Sequence, residues 1–233
     1  LAAADLACRK AALQGALDAH LPRGVKLFVN VEPDVIAATP AADVRALFAL
    51  PDGLNARPVL EITERAFGDR PARLLAALHE ARAAGWSIAV DDVGANPDFL
   101  ALLTFARPDV VRVDGSLVHN APGRKAGYVA AAIRAYVERT GAVVLGETIE
   151  NEGHVDHARA FGATLGQGWL FGRPGPVPAL EVPSAPLRDL PASDPRDGQA
   201  PFEVLRAAGV PIRNASKAVI ASIARGIEAD ALA

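Results

Sequence analysis

Six polar residues, each at the end of a short apolar run, are the residues of this chain best placed to do chemistry. Asn30 closes LFVNV, Glu61 lies in VLEITE, Asp91 in IAVDDVG, Arg112 in VVRVD, Glu147 in VVLGETIE and Gln167 in TLGQG. Asn30, Glu61, Asp91, its neighbour Asp92 and Glu147 offer only oxygen donors. Such a set suits a hard divalent ion, Mg²⁺ or Mn²⁺, rather than zinc. Neighbours on a strand point to opposite faces, but Asp91 and Asp92 can both turn to one centre if the strand is ending there. One aspartate can then bridge two ions. Two ions about 3.5–4 Å apart would stabilise the attacking and leaving oxygens of a phosphodiester displacement. Acids at strand ends also cap the next helix and favour its positive N-terminus. Taken singly, Glu64, Asp114 and Glu150 read better as caps or salt-bridge partners. For the set Asn30, Glu61, Asp91, Asp92 and Glu147, capping is a poor account and a shared site a better one.

The positioning elements follow from the spacing. From Asn30 through Glu61, Asp91, Arg112 and Glu147 to Gln167 the gaps are 31, 30, 21, 35 and 20 residues. A strand, a helix and two loops need roughly 30 residues. The polar group therefore falls repeatedly at the C-terminal end of a strand, where a barrel of alternating strands and helices builds its active site. Apolar, β-branched runs predict buried strands over 25–31, 59–63, 88–92, 110–113 and 142–145, with a short last strand around 164–167. Helical periodicity predicts helices over 2–20, near 41–49, over 71–84 with Gly85 as its stop, near 98–105, over 125–139 and near 152–161. Six strands in strand–helix alternation predict an α/β fold with a buried parallel sheet.

Composition narrows the function. The apolar fraction of 51% supports a large core, while aromatics at 5% are too few for a base-stacking platform. A net charge of −3 gives no basic field for a polyanion, so neither DNA nor RNA is expected as a partner. A lone cysteine, Cys8, excludes an internal disulfide and reads as core filler on an apolar helix face. No membrane segment is expected, and the start does not resemble a signal peptide, which points to a cytoplasmic setting. The chain lacks methionine and begins at Leu1, and so reads as a fragment of a longer protein.

The ordered motifs NVEP, EITE, DDVG, PDVVRVD, GETIE and LGQGWLFGRP resemble those of EAL domains, which hydrolyse cyclic di-GMP to linear pGpG. The resemblance spans about residues 1–180 and implies a modified (β/α)₈ TIM-type barrel whose first strand is antiparallel. It implies that Asn30, Glu61 and Asp91 hold one Mg²⁺ or Mn²⁺ ion. Asp91, Asp92 and Glu147 would hold a second, with Asp91 bridging. Glu64 and Glu150 become supporting carboxylates of the catalytic site, and Gln167 contacts the substrate region. The closing segment, with Arg173 and Pro174, helps shape the pocket for one guanine; a plain turn explains Gly172-Arg173-Pro174 as well. A homodimer in bacterial second-messenger signalling is the expected assembly.

Three departures bear on activity. The glutamate of the E-A-L motif is absent, and residues 1–30 align with the helix and strand that follow it. The barrel is thus expected to be incomplete, its first two strands lying upstream of Leu1 and its open edges inviting association. The catalytic lysine of the family is Arg112 here; an always-protonated guanidinium can stabilise charge but cannot act as a base. The loop after DDVG reads Ala95-Asn96-Pro97-Asp98-Phe99-Leu100 in place of the family's TGYSSL, which suggests altered coupling to the dimer interface. A degenerate domain that binds cyclic di-GMP, or only a protein partner, is therefore the alternative to a phosphodiesterase. A different Mg²⁺-dependent barrel acting on a small acid is a distant third: it would not explain QGWLFGRP or the Asp91-Asp92 pair.

Three further features stand apart from the six motifs. His154 and His157, three apart on a helix, read as a solvated face rather than a metal site. Residues 181–200, rich in Pro, Asp and Ser, read as a linker. Residues 215–232 regain helical periodicity, and the segment 201–233 that contains them resembles the opening of a DICT sensory domain; a terminal helix packed on the barrel is the equal alternative.

Overall fold

The computed structural model describes residues 2–67, 71–120 and 123–175. The linker over 181–200, the segment over 201–233 and the last residues of the expected 1–180 domain lie outside the described residues. The sheet has six strands: β1 (Lys26–Asn30), β2 (Arg57–Thr63), β3 (Ser87–Val93), β4 (Val110–Val113), β5 (Val143–Gly146) and β6 (Leu165–Gly166). They lie side by side in sequence order, and all five pairings are parallel. The expected alternation holds, and the open sheet is an incomplete (β/α)₈-type barrel. Among the described residues, no helix is long and apolar enough to cross a membrane.

The central strands β2 to β5 are largely buried on both faces, which is why they read as nearly unbroken apolar runs. One face carries Val29, Leu60, Ile62, Ile88, Val90, Val111 and Val144 into a continuous core with the helices. The other carries Phe28, Val59, Ala89, Val110, Val143 and Leu145 as a separate cluster built from strands alone. Successive side chains alternate, so the residue two positions further on shares that helix-free face. That rule carries Asn30, Glu61, Asp91, Arg112 and Glu147 to one side of the sheet.

The helices follow their apolar spacing. In α4 (Pro71–Ala83) the buried residues are Pro71, Leu74, Ala77, Leu78 and Ala81, and Gly85 at φ +93° supplies the left-handed stop. In α7 (Arg124–Thr140) Ala126, Val129, Ile133 and Tyr136 are buried, and the Tyr136 hydroxyl donates to the Pro108 carbonyl at 2.9 Å. Two short helices had no periodicity to announce them. They are α2 (Pro33–Ala38), begun by a proline at its first position, and α6 (Gly115–His119), capped by the Asp114 carboxylate accepting from the Ser116 amide. The region near 41–49 is a 3₁₀ turn followed by the one-turn α3 (Val44–Leu47), and that near 98–105 is a 3₁₀ stretch followed by α5 (Leu103–Ala106).

Two expectations are corrected. Cys8 is exposed, because the buried stripe of α1 (Ala2–Asp18) runs through Arg9, Leu13 and Ala16 instead. Arg9 is buried with two of its three nitrogens engaged: its Nε lies 3.0 Å from Asp5 and its Nη1 donates to the Leu47 carbonyl at 3.1 Å. His154 and His157 of α8 (Glu152–Ala160) do not form a solvated face. The His154 ring stacks on His119 at a centroid distance of 4.1 Å, and a His157 ring nitrogen lies 2.8 Å from the Val118 carbonyl. Both histidines serve the contact between α6 and α8.

Candidate functional site

Asn30 and Glu61 are directly paired across β1 and β2. Asp91 is reached through Thr63, its partner on β2. Between β3 and β4 the register slips: Val90 pairs with Val111 and Val93 with Val113, so Asp91 and Asp92 together face Arg112. Two residues against one is a β-bulge, a device that re-aims side chains beside functional sites. The backbone pays for it at Asp92, held at φ +58°. The Asp91-Asp92 pair thus diverges inside the strand rather than through the strand ending.

Glu61, Asp91 and Glu147 each present a carboxylate oxygen within 4.8 Å of the other two. Glu61 is only 3% exposed. The chemistry of this donor set, three carboxylates beside the Asn30 amide, fits a hard divalent ion. Asp92 stands outside the trio, its Oδ2 3.8 Å from Arg65 Nη2. Desolvation raises the Asp92 carboxyl above its ordinary value, with the nearby Asp91 and Asp114 charges adding to the effect. Glu147 is pushed up to about 8, first by burial and then by Asp91 at its side, against the pull of Arg112.

Arg112 occupies the middle of this group. Its guanidinium pairs with Glu61 through Nη1 and with Glu147 through Nε, and the same Nε lies 3.4 Å from Asp91. Its Nη2 donates to the Gln167 side-chain oxygen at 3.3 Å. The Arg112 Cζ sits 5.9 Å from the Phe28 ring centroid. The residue is 7% exposed, and burial lowers the pKa of its guanidinium while Glu147 opposes that.

Glu64 is buried but faces a different task. It accepts from the backbone amides of Gly94 at 3.2 Å and Asn96 at 2.6 Å, so it holds the loop that follows β3. Burial raises its carboxyl to about 7. Above an ordinary value of 4.5 the folded chain then keeps a proton that the unfolded chain has lost, so stability falls as pH rises toward 7. Glu64→Gln removes that titration, and its stability should fall about 2 kcal/mol less than the parent's between pH 5 and 8. Urea midpoints at the two pH values measure this, and equal falls in both proteins would refute it.

The remaining expected residues lie further out. Glu150 is exposed, its amide 3.3 Å from His154 Nδ1 at the start of α8. Arg173 lies 4.3 Å over the Trp169 ring, and Pro174 is exposed beside it. Gly166 and Gly168 flank Gln167 for packing reasons. A Cβ on Gly166 would meet Phe171 at 2.6 Å, and one on Gly168 would meet the Ile149 backbone at 2.1 Å. Phe28 and Arg65 are the additions to the sequence reading. Phe28 precedes Asn30 by two on one strand face, a signal that was available, whereas the approach of Arg65 to Asp92 depends on the bulge.

A cleft of about 890 Å³ opens beside the trio, lined by Asn30, Glu61, Thr63 and Arg65 among others. The profile of the EAL domain matches residues 1–174. The cyclic di-GMP phosphodiesterase NbdA of Pseudomonas aeruginosa is 32% identical over 123 residues, 52% of this chain and 16% of that protein. The cyclic di-GMP phosphodiesterase PdeB of Shewanella oneidensis is 29% identical over 118 residues, 50% of this chain and 14% of that protein. The chain thus spans only a small part of these relatives. The structure of Klebsiella pneumoniae BlrP1, a manganese and cyclic di-GMP complex at pH 9.0, matches with a TM-score of 0.62 at 29% identity. That match covers 73% of this chain and 44% of BlrP1. The EAL domain of Mycobacterium smegmatis DcpA matches in fold, with a TM-score of 0.56 at 24% identity over 71% of this chain and 76% of that one.

Proposed function

The chain belongs to the EAL domain family, and from that premise we propose that its acidic centre is part of a cyclic di-GMP site serving bacterial second-messenger signalling. The observation that carries the reading is the gathering of Glu61, Asp91 and Glu147 at the C-terminal ends of parallel strands. Asn30, Glu61, Asp91 and Glu147 would hold Mg²⁺ or Mn²⁺, with Asp92 as a further carboxylate at the bulge. Such ions polarise a phosphoryl oxygen and lower the pKa of bound water, the chemistry of a phosphodiesterase that opens cyclic di-GMP to pGpG. The chain's own residues bind and orient. Gln167 faces the centre from the closing segment, Arg173 and Pro174 border the nucleotide, and Glu64 keeps the loop after β3 in place. Glu150 is a supporting carboxylate. A cytoplasmic homodimer belongs to the same proposal.

Arg112 favours a second reading within this one. A guanidinium has no proton to lose at neutral pH, so it cannot help deprotonate a water. It is also tied to three carboxylates at once. The geometry therefore best supports a domain that takes cyclic di-GMP and transmits its presence with little or no turnover. Calorimetry with cyclic di-GMP, run beside chromatography for pGpG in Mn²⁺, separates the cases. Tight binding without pGpG is expected. Steady formation of pGpG would instead establish the phosphodiesterase, and absence of binding would leave a protein-interaction module.

A further inference from the structure

We propose that Arg112 is the resident cation of the acidic centre, occupying the position between Glu61, Asp91 and Glu147 that a divalent ion needs, so that the folded chain binds Mg²⁺ or Mn²⁺ weakly. The inference rests on reading the trio as an EAL-type metal centre. Every carboxylate of the trio pairs with the same guanidinium, from strands β2 and β3 and from the turn after β5. Gln167 after β6 accepts from it too, and Phe28 on β1 lies beside it. The side chain is thus fixed from five directions and nearly excluded from water.

The chemistry of the two basic side chains explains why this matters here. A lysine ammonium is a compact point charge on a flexible stem and can stand beside a bound ion. A guanidinium is planar, distributes its donors over several acceptors and remains charged. Here those acceptors are the carboxylates that the ion would use. A divalent ion placed among them would lie within a few ångströms of the guanidinium charge, a strong repulsion in a buried site. Metal entry therefore requires Arg112 to leave, breaking all of its pairs and uncovering a buried charge. The guanidinium supplies positive charge to all three carboxylates without metal.

Mn²⁺ titration of the full chain, without nucleotide, tests this through the electron paramagnetic resonance signal of free Mn²⁺ and through the Tm. Arg112→Lys and Arg112→Met should bind Mn²⁺ about tenfold or more tighter than the parent and gain Tm in its presence. The two variants keep and remove the charge, so a folding defect in one leaves the other as the reporter. Adding Asp91→Asn to Arg112→Lys should abolish the gain, which places it at the trio. Parent affinity equal to that of both variants overturns the inference and leaves the cyclic di-GMP reading standing. Failure of the parent and both variants to bind Mn²⁺ overturns the metal-centre reading, and the inference with it.

Discussion

Replacing Arg112 with methionine should destabilise the folded chain by about 3–5 kcal/mol at pH 8. Methionine fills much of the volume of the arginine stem, so the loss reports the charge rather than a cavity. Glu61, Asp91 and Glu147 would be left within 4.8 Å of one another with no cation among them. One buried and two half-buried carboxylates this close repel one another when ionised, and losing the guanidinium removes the charge that opposes the rise at Glu147. Groups raised in the folded state contribute stability that is present below the unfolded pKa and lost as pH rises through the folded one. The defect should therefore be small near pH 4 and full at pH 8. In the parent, Glu147 at about 8 already gives a weaker slope of the same sign. Urea unfolding across this range supplies the measurement. A variant that loses less than about 1 kcal/mol at pH 8 would show that the guanidinium does not hold the cluster together.

Gly168→Ala should cost about 3 kcal/mol and displace Gln167 from the centre. A Cβ at this position would lie 2.1 Å from the Ile149 oxygen and 2.2 Å from its nitrogen. These are backbone atoms, and both are engaged: the Ile149 amide donates to the Gln167 carbonyl, and the Leu170 amide donates to the Ile149 carbonyl, each at 3.0 Å. Neither partner can move aside without breaking the pairing that closes the sheet at β6. The segment carrying Gln167 must therefore shift outward, and with it the contact to Arg112 at 3.3 Å. Thermal melts give the stability, and calorimetry gives the accompanying loss of cyclic di-GMP affinity. Unchanged stability together with unchanged affinity would show that the close approach of this loop is dispensable.

The positions of β2 to β5 were legible because both faces of the sheet are largely buried there, which makes each of these strands a continuous apolar run. The shared orientation of Asn30, Glu61, Asp91, Arg112 and Glu147 was legible as well, through their spacing and the alternation of side chains. The six ordered motifs pointed to the EAL family, and the match over residues 1–174 sets aside a barrel acting on a small acid. Short elements were not legible. The helices α2 and α6 span 6 and 5 residues, too few for a period to show. Cys8 was misplaced because α1 buries a charged residue, Arg9, in a stripe where an apolar one was expected.

What the sequence determined alone is the scaffold and the donor set, since hydrophobic periodicity and residue spacing are local properties. What the tertiary structure decided is how those donors are used. A bulge separates Asp92 from Asp91, Glu64 is committed to the backbone of the loop after β3, and Glu150 is left outside at the start of α8. Above all, the identity of residue 112 gave a cation but not its partners. Those partners come from four other parts of the chain, and only their convergence in space places one guanidinium among Glu61, Asp91, Glu147 and Gln167. Long-range electrostatics in a buried site depends on distances that no local sequence pattern encodes.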